Sequence, residues 1–316
     1  MDLSSTTPIR TPDTDSIASP TPDTTPDTTP DTTSDATPVL GPCAPLRAGS
    51  GRIHVAHVAG RSRVIRNQAS NPLKLWVPRR PGPASWIYTT TFGGGLVAGD
   101  RIGVDLDLDP LTTTVLTTQA STKVYRSLKD RGCSQQLQAR VGDRATLIVA
   151  PDPLVCFRGA IYQQHNRVLL ADDASLVHID WLTSGRSARG ERWQFQRLAT
   201  RLEVIRGGTM ILLDSLELVP REVALENPLR MGQHHCLATV VIFGNGLAEA
   251  IESVRRGVAD QPDDPHDGCL ESASPRHEGL ILRLVGPNTQ AVGKRLRQRL
   301  AFLADHLQET PWERKW

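Results

Sequence analysis

Apolar residues recur at every second position through the middle of this chain, and that spacing constrains the fold more than any other feature. It is clearest in the stretch Gly93–Ser127, where Ile102, Val104, Leu106 and Leu108 alternate with polar or small residues. Such a run puts one face of a strand on a core and the other in water. A second run, with Leu111, Val115 and Leu116 among threonines, follows at once. β-Branched Thr and Val suit a pleated, half-buried surface. Upstream stand Gly93-Gly94-Gly95 and the turn Ala98-Gly99-Asp100. No Lys-Ser/Thr pair and no G-x-G-x-x-G spacing accompanies these glycines, and a strand rather than a helix follows them. They read as a tight turn between strands, not as a phosphate loop.

The same period predicts strands over Arg52–Val58, Ser62–Gln68, Leu73–Val77, Ala84–Thr91, Gly132–Val141, Ala145–Val149, Ile161–Leu170, Ala174–Leu182, Trp193–Ile205, Met210–Val219 and Cys236–Phe243. Ala59-Gly60 and Gly207-Gly208 mark hairpins. Short strands and turns at regular spacing argue for a mainly β body. Two late segments depart from it. Gly246–Arg256 carries Leu247, Ile251 and Val254 at helical spacing. Thr289–Leu307 carries the stripe Val292, Leu296, Leu300, Leu303 and Leu307, with Asn288 or Thr289 as cap. Lys294, Arg295, Arg297 and Arg299 on its other face are expected to be solvated or to meet a partner. Asp260–Glu278, rich in Pro, Asp and Ser, is expected to be a flexible loop.

Composition narrows the class. Residues 1–38 repeat Thr-Pro-Asp-Thr and hold seven Asp against one Arg. Such a segment buries too little to offset its ordering entropy, so the chain divides into a disordered TPDT-rich tail over 1–45 and a single β-rich domain over 46–316. The whole chain is +2 and residues 1–38 are −6, so the remainder is +8. Its arginines are dispersed, without a Lys/Arg run or interleaved aromatics, which argues against a nucleic-acid partner and fits an acidic protein partner equally well. No run of 18 apolar residues provides a membrane span, and no secretory signal is visible. The five scattered cysteines suit a reducing cytosol better than a disulfide framework.

Three polar clusters carry candidate chemistry. His234-His235-Cys236 offers donors suited to nickel, copper or zinc, although neighbours on a strand point to opposite faces. His266, Cys269 and His277 match no closed zinc spacing. Asp100, Asp152, Asp180 and Glu191 lie at or near strand ends. Asp180, beside His178 in an apolar run, needs a partner if it faces inward, and Arg186 or Arg192 is the expected one. The set is open to three readings: a buried ion pair, a polar wall along an internal cation path, or a general acid/base pair of a β-rich hydrolase using Asp180 and Glu191.

Four strings stand out: Gly94-Gly95-Leu96-Val97-x-Gly99-Asp100, then Thr117-Thr118-x-Ala120-x-Thr122-Lys123-x-Tyr125-Arg126-Ser127, and further on Pro151-Asp152-Pro153-x-Val155-x-Phe157-x-Gly159-Ala160 and Asp180-x4-Gly185-Arg186-x3-Gly190-Glu191-x-Trp193. Together they resemble the UreD (UreH) family of urease accessory proteins. The family commonly has Glu at the place of Asp180 and an aromatic such as Phe at that of Trp193. The resemblance implies a β-helix-like stack of strands with two late helices. It also implies a non-enzymatic nickel-insertion chaperone, without a tightly bound cofactor, that handles nickel transiently. The implied partners are the urease apoprotein, UreF and, through UreF, the GTPase UreG. An internal tunnel would carry the metal, with Asp100, Asp152, Asp180 and Glu191 as its expected lining and His178, His234, His235 and Cys236 as weaker candidates. Lys123, Tyr125 and Arg126 are the expected partner contacts.

Overall fold

The computed structural model describes residues 46–222, 224–260, 268–309 and 311–312. The tail assigned to 1–45, and His266, lie outside the described residues. The chain opens with strands β1 (Ser50–Val58), β2 (Arg61–Ala69), β3 (Leu73–Trp76) and β4 (Ser85–Thr91). It continues through β5 (Arg101–Leu108), β6 (Thr113–Thr118), β7 (Lys123–Val124), β8 (Cys133–Val141), β9 (Thr146–Val149), β10 (Leu154–Cys156), β11 (Ile161–Leu170) and β12 (Ser175–Thr183). Strands β13 (Arg197–Arg206), β14 (Thr209–Leu218) and β15 (Cys236–Phe243) lead to helix α1 (Ala248–Asp260). Strands β16 (Leu270–Arg276) and β17 (Gly279–Gly286) and helices α2 (Thr289–Arg299) and α3 (Phe302–Leu307) close the chain.

The strands form two sheets. One runs β14-β13-β11-β8-β5-β1-β2; the other contains β16-β17-β15-β12-β9-β6-β4-β3, with β7 and β10 joined to β12 off that path. Successive strands β5, β6, β8, β9, β11, β12 and β13 alternate between the sheets, and each pairs in parallel with its counterpart one turn away. Parallel neighbours need a crossover, and here each crossover passes through the facing sheet. The chain therefore coils as a two-faced solenoid, the expected mainly β, β-helix-like stack.

The sheets differ in what covers them. In β8 of the first sheet, Leu137, Ala139 and Val141 are buried while Gln136, Gln138 and Arg140 are exposed. The second sheet is covered twice. Its inner face meets the first sheet through Leu147, Leu176 and Val241. Its outer face, with Val177, Ile179, Val240 and Leu282, packs under Val254, Leu296 and Leu303 of the helices. Burial on both faces is why β9 and β15 are near-continuous apolar runs instead of alternating ones.

Four expectations change. The helix over Thr289–Leu307 is two helices: Leu300 leaves helical geometry at φ −104°, ψ 23°. The stripe stays buried across the break, and the Asn288 side chain accepts from the Ala291 N–H at 2.9 Å. The basic face is not simply solvated, because Arg295 and Arg299 are buried against Glu271. That glutamate belongs to β16, which occupies much of the expected loop. β16 pairs with β17 at the sheet edge, where Pro275 costs no ladder bond. The strand expected from Trp193 begins only at Arg197, since Trp193 has φ 51°.

Candidate functional site

Inward alternation should bring apolar residues between the sheets, and around one cavity it brings polar ones instead. Gln135 on β8, Gln164 and Asn166 on β11, and His178 and Asp180 on β12 all line one interior cavity of about 100 Å³. That is room for several water-sized guests. Asp152 and Thr118 complete its polar wall. A smaller cavity of about 50 Å³, reaching Gly94, Gly95 and Ser121, shares Thr89, Ile102, Thr118, Thr122 and Gln135 with the first. The two adjoin and lead toward the triple-glycine turn. Gly95 is needed there: a Cβ would stand 2.6 Å from the Tyr125 ring and 2.7 Å from the Lys123 carbonyl oxygen.

Asp180 finds neither arginine. Gln164 Nε2 donates to its Oδ2 at 3.2 Å, and the surface it retains faces the cavity. Burial, unrelieved by a cation, pushes its carboxyl from the ordinary 3.8 to about 6. His178 is 2% exposed and lies 2.9 Å from Asn166 Nδ2 through Nε2. Burial lowers its imidazole to about 4, so it is neutral at physiological pH. The buried Asp152 donates its backbone N–H to Thr118 Oγ1 at 2.7 Å, and that hydroxyl donates to Asp152 Oδ2 at 3.2 Å. Tyr162, wholly buried, holds Gln135 at 2.6 Å and Gln164 at 2.8 Å through its hydroxyl.

Glu191 does not line this cavity. Gly185, at φ 126°, turns the chain after β12 and sends Arg186 back onto Glu191. Arg186 Nε donates to Glu191 Oε2 at 2.9 Å, and its Nη2 bonds Oε1. The Arg186 hydrogen bonds hold the Glu191 carboxyl below its ordinary value. The guanidinium lies 4.1 Å from the centre of the Phe157 ring, which meets Tyr125 edge-on at 5.2 Å. This cluster sits on three successive connections from the second sheet to the first. Lys123 and Arg126 are exposed beside it. Asp100 is also outside the cavity: its Oδ2 accepts from the Val97 N–H at 2.9 Å and closes the turn before β5. Asp180 and Glu191 thus have different surroundings: only Asp180 lines the cavity, and Glu191 is paired with Arg186.

The remaining candidates are dispersed. His234 Nδ1 meets the Met231 carbonyl at 3.0 Å, and His235 lies at the entry to β15, its imidazole lowered by burial. Cys236 is fully buried, its thiol pushed up to about 12 by burial, with Cys269 adding to the rise. A thiol held protonated is a poor ligand. His277 occupies a turn at φ 39°. Among the described residues no three His, Cys, Asp or Glu side chains converge as a metal cluster. Gln135, Tyr162, Gln164 and Asn166 went unsuspected in the sequence reading. Their signal was the phase of β11, where Tyr162, Gln164 and Asn166 share the inward face with Val168 and Leu170.

These features define a β-solenoid scaffold with a carboxylate- and amide-lined cavity between its sheets. The chain belongs to the UreD urease accessory protein family, whose model matches residues 47–316. It is 45% identical over 272 residues to the urease accessory protein UreD of Sorangium cellulosum (strain So ce56), covering 85% of each chain. It is 41% identical over 284 residues to the UreD of Anaeromyxobacter sp. (strain Fw109-5), covering 87% of this chain and 94% of that one. To urease accessory protein D of Arabidopsis thaliana it is 32% identical over 294 residues, covering 83% and 99%. Membership gives the chain an accessory role in urease maturation. Among the described residues no helix is long and apolar enough to cross a membrane.

Proposed function

We propose that the chain is a non-catalytic maturation factor that passes nickel to the nascent urease site through its interior. It binds the urease apoprotein and UreF, UreG joins through UreF, and the assembly works in the cytoplasm. The carrying observation is the cavity between the sheets with Asp152 and Asp180 in its wall. Nickel is cargo here rather than a resident cofactor. Oxygen donors suit its release, whereas thiolates would retain it, and burial pushes the nearby Cys133 thiol up to about 12. Of the four expected carboxylates, Asp152 and Asp180 belong to this path; Asp100 and Glu191 serve the turns around it. Lys123, Tyr125 and Arg126 remain the partner face.

The test is urease activation in cells carrying the urease and accessory genes. D152A/D180A should still co-purify with urease and UreF but leave urease with little nickel and little activity. Normal activation by that double variant would overturn the delivery reading. Failure of the wild-type chain to co-elute with either partner would overturn the assembly reading.

A further inference from the structure

Two of the donor atoms inside the cavity are covered by amides as they stand. Gln164 and Asn166 are two residues apart on β11, and His178 and Asp180 are two apart on β12, so each pair shares one strand face. The strands belong to facing sheets, and the side chains meet one to one: Gln164 Nε2 with Asp180 Oδ2 at 3.2 Å, Asn166 Nδ2 with His178 Nε2 at 2.9 Å. All four line the same cavity. Two donor atoms, Asp180 Oδ2 and His178 Nε2, therefore have a carboxamide nitrogen against them.

We propose that Asp180 and His178 form a transient site for a borderline divalent cation and that Gln164 and Asn166 are its two amide gates. This rests on the reading of the cavity as a nickel path. A carboxylate oxygen and a neutral imidazole nitrogen are donors that nickel accepts. A carboxamide has a donor end and an acceptor end, and its terminal torsion is soft and roughly two-fold. With the cavity empty of metal, the NH2 ends occupy the donors. When a cation enters, each amide turns and offers its oxygen, changing from competitor to ligand without adding charge. Two charged or imidazole donors are too few to hold a resident ion, which suits cargo. Tyr162 sets the resting state: its hydroxyl donates to Gln164 Oε1 at 2.8 Å, directing Nε2 toward Asp180. The phenol has one proton, and Gln135 Oε1 at 2.6 Å from the same hydroxyl competes with Gln164 for it.

The experiment measures nickel chloride binding to the metal-free chain by calorimetry, and locates the metal by anomalous scattering in nickel-soaked crystals. The wild type should bind weakly, with density between His178 Nε2 and an Asp180 oxygen. Q164E and N166D replace a gate by a fixed ligand and should each bind at least about tenfold tighter, with slower release. Y162F, which deletes only the hydroxyl, should change nickel affinity while leaving the fold intact. Unchanged affinity in Q164E, N166D and Y162F, or density elsewhere, would overturn the gates. If the gates fail in this way while D152A/D180A still abolishes urease activation, the delivery reading stands. Normal activation by D152A/D180A would instead remove the path itself.

Discussion

Asp180 and Glu191 lie eleven residues apart and are opposites in the fold. Glu191 meets an arginine in a bidentate pair on the connections between the sheets, and its carboxyl is held below the ordinary value. Asp180 meets a neutral amide inside the solenoid, and its carboxyl is raised to about 6. A carboxylate already matched by a guanidinium has nothing left for a passing cation. One left without a cation in a confined space is costly to keep ionised, and a guest cation repays that cost. The difference marks where a divalent ion gains most by entering, and it can be tested at three points.

The largest effect is expected at Asp180. Since burial raises its folded value above the unfolded 3.8, keeping it ionised costs stability above about pH 6. D180N keeps the shape and the contact with Gln164 but removes the charge. At pH 7.5 the metal-free variant should be more stable than wild type by up to ~3 kcal/mol, seen as a higher Tm, while nickel transfer falls. A variant that is both less stable and unchanged in transfer would erase the contrast with Glu191. Greater stability with lost function is what a site strained for its task predicts.

His178 sharpens the same point through pH. Its folded value of about 4 lies below the ordinary 6.5, so the stability it contributes is present above pH 6.5 and is lost as pH falls toward 4. Asp180 has the opposite sign: its contribution is present below 3.8 and is lost as pH rises through about 6. Over the interval between, the two slopes oppose each other, each on the order of 3 kcal/mol in total. Urea unfolding of the metal-free chain should therefore show little net pH dependence from this pair. D180N should expose the His178 slope, losing stability on acidification. H178N should expose the Asp180 slope, gaining it. Parallel pH profiles for the two variants would refute the assignment.

The solenoid itself was legible because period-two alternation survives wherever a sheet has one wet face, as in β5 and β8. Sheets buried twice still announce strands, by unbroken apolar runs such as Val240–Phe243, but not which residues face which core. Asp180 was visible as a charge in such a run; its partner was not. Arg186 and Arg192 are near in sequence, and only the positive φ of Gly185 carries Arg186 to Glu191. Gln164 comes from the facing sheet, a contact set by the coiling of the chain rather than by any local pattern. β16 was missed for a related reason: a short, polar edge strand containing Pro275 is fixed by its ladder to β17, not by its own composition.

The smallest effect is expected at Glu191, and its smallness is informative. The depressed folded value means that its contribution is present above the ordinary 4.5 and is lost as pH falls through the folded value. E191Q retains the volume and weakens the pair with Arg186. Glu191 is 8% exposed and Arg186 keeps about a third of its side chain in water, so the loss at neutral pH should be a fall in Tm that shrinks in acid, where the wild-type pair is also lost. Nickel loading of urease should not change, since Glu191 does not line the cavity. Through Arg186 and Phe157, however, the carboxylate supports Tyr125, so co-elution with partner proteins is the measurement to follow. If Tyr125 is a contact, Y125A should weaken co-elution strongly and E191Q slightly, both with nickel binding by the isolated chain intact. A loss of nickel binding in E191Q would join the two regions that the structure keeps apart.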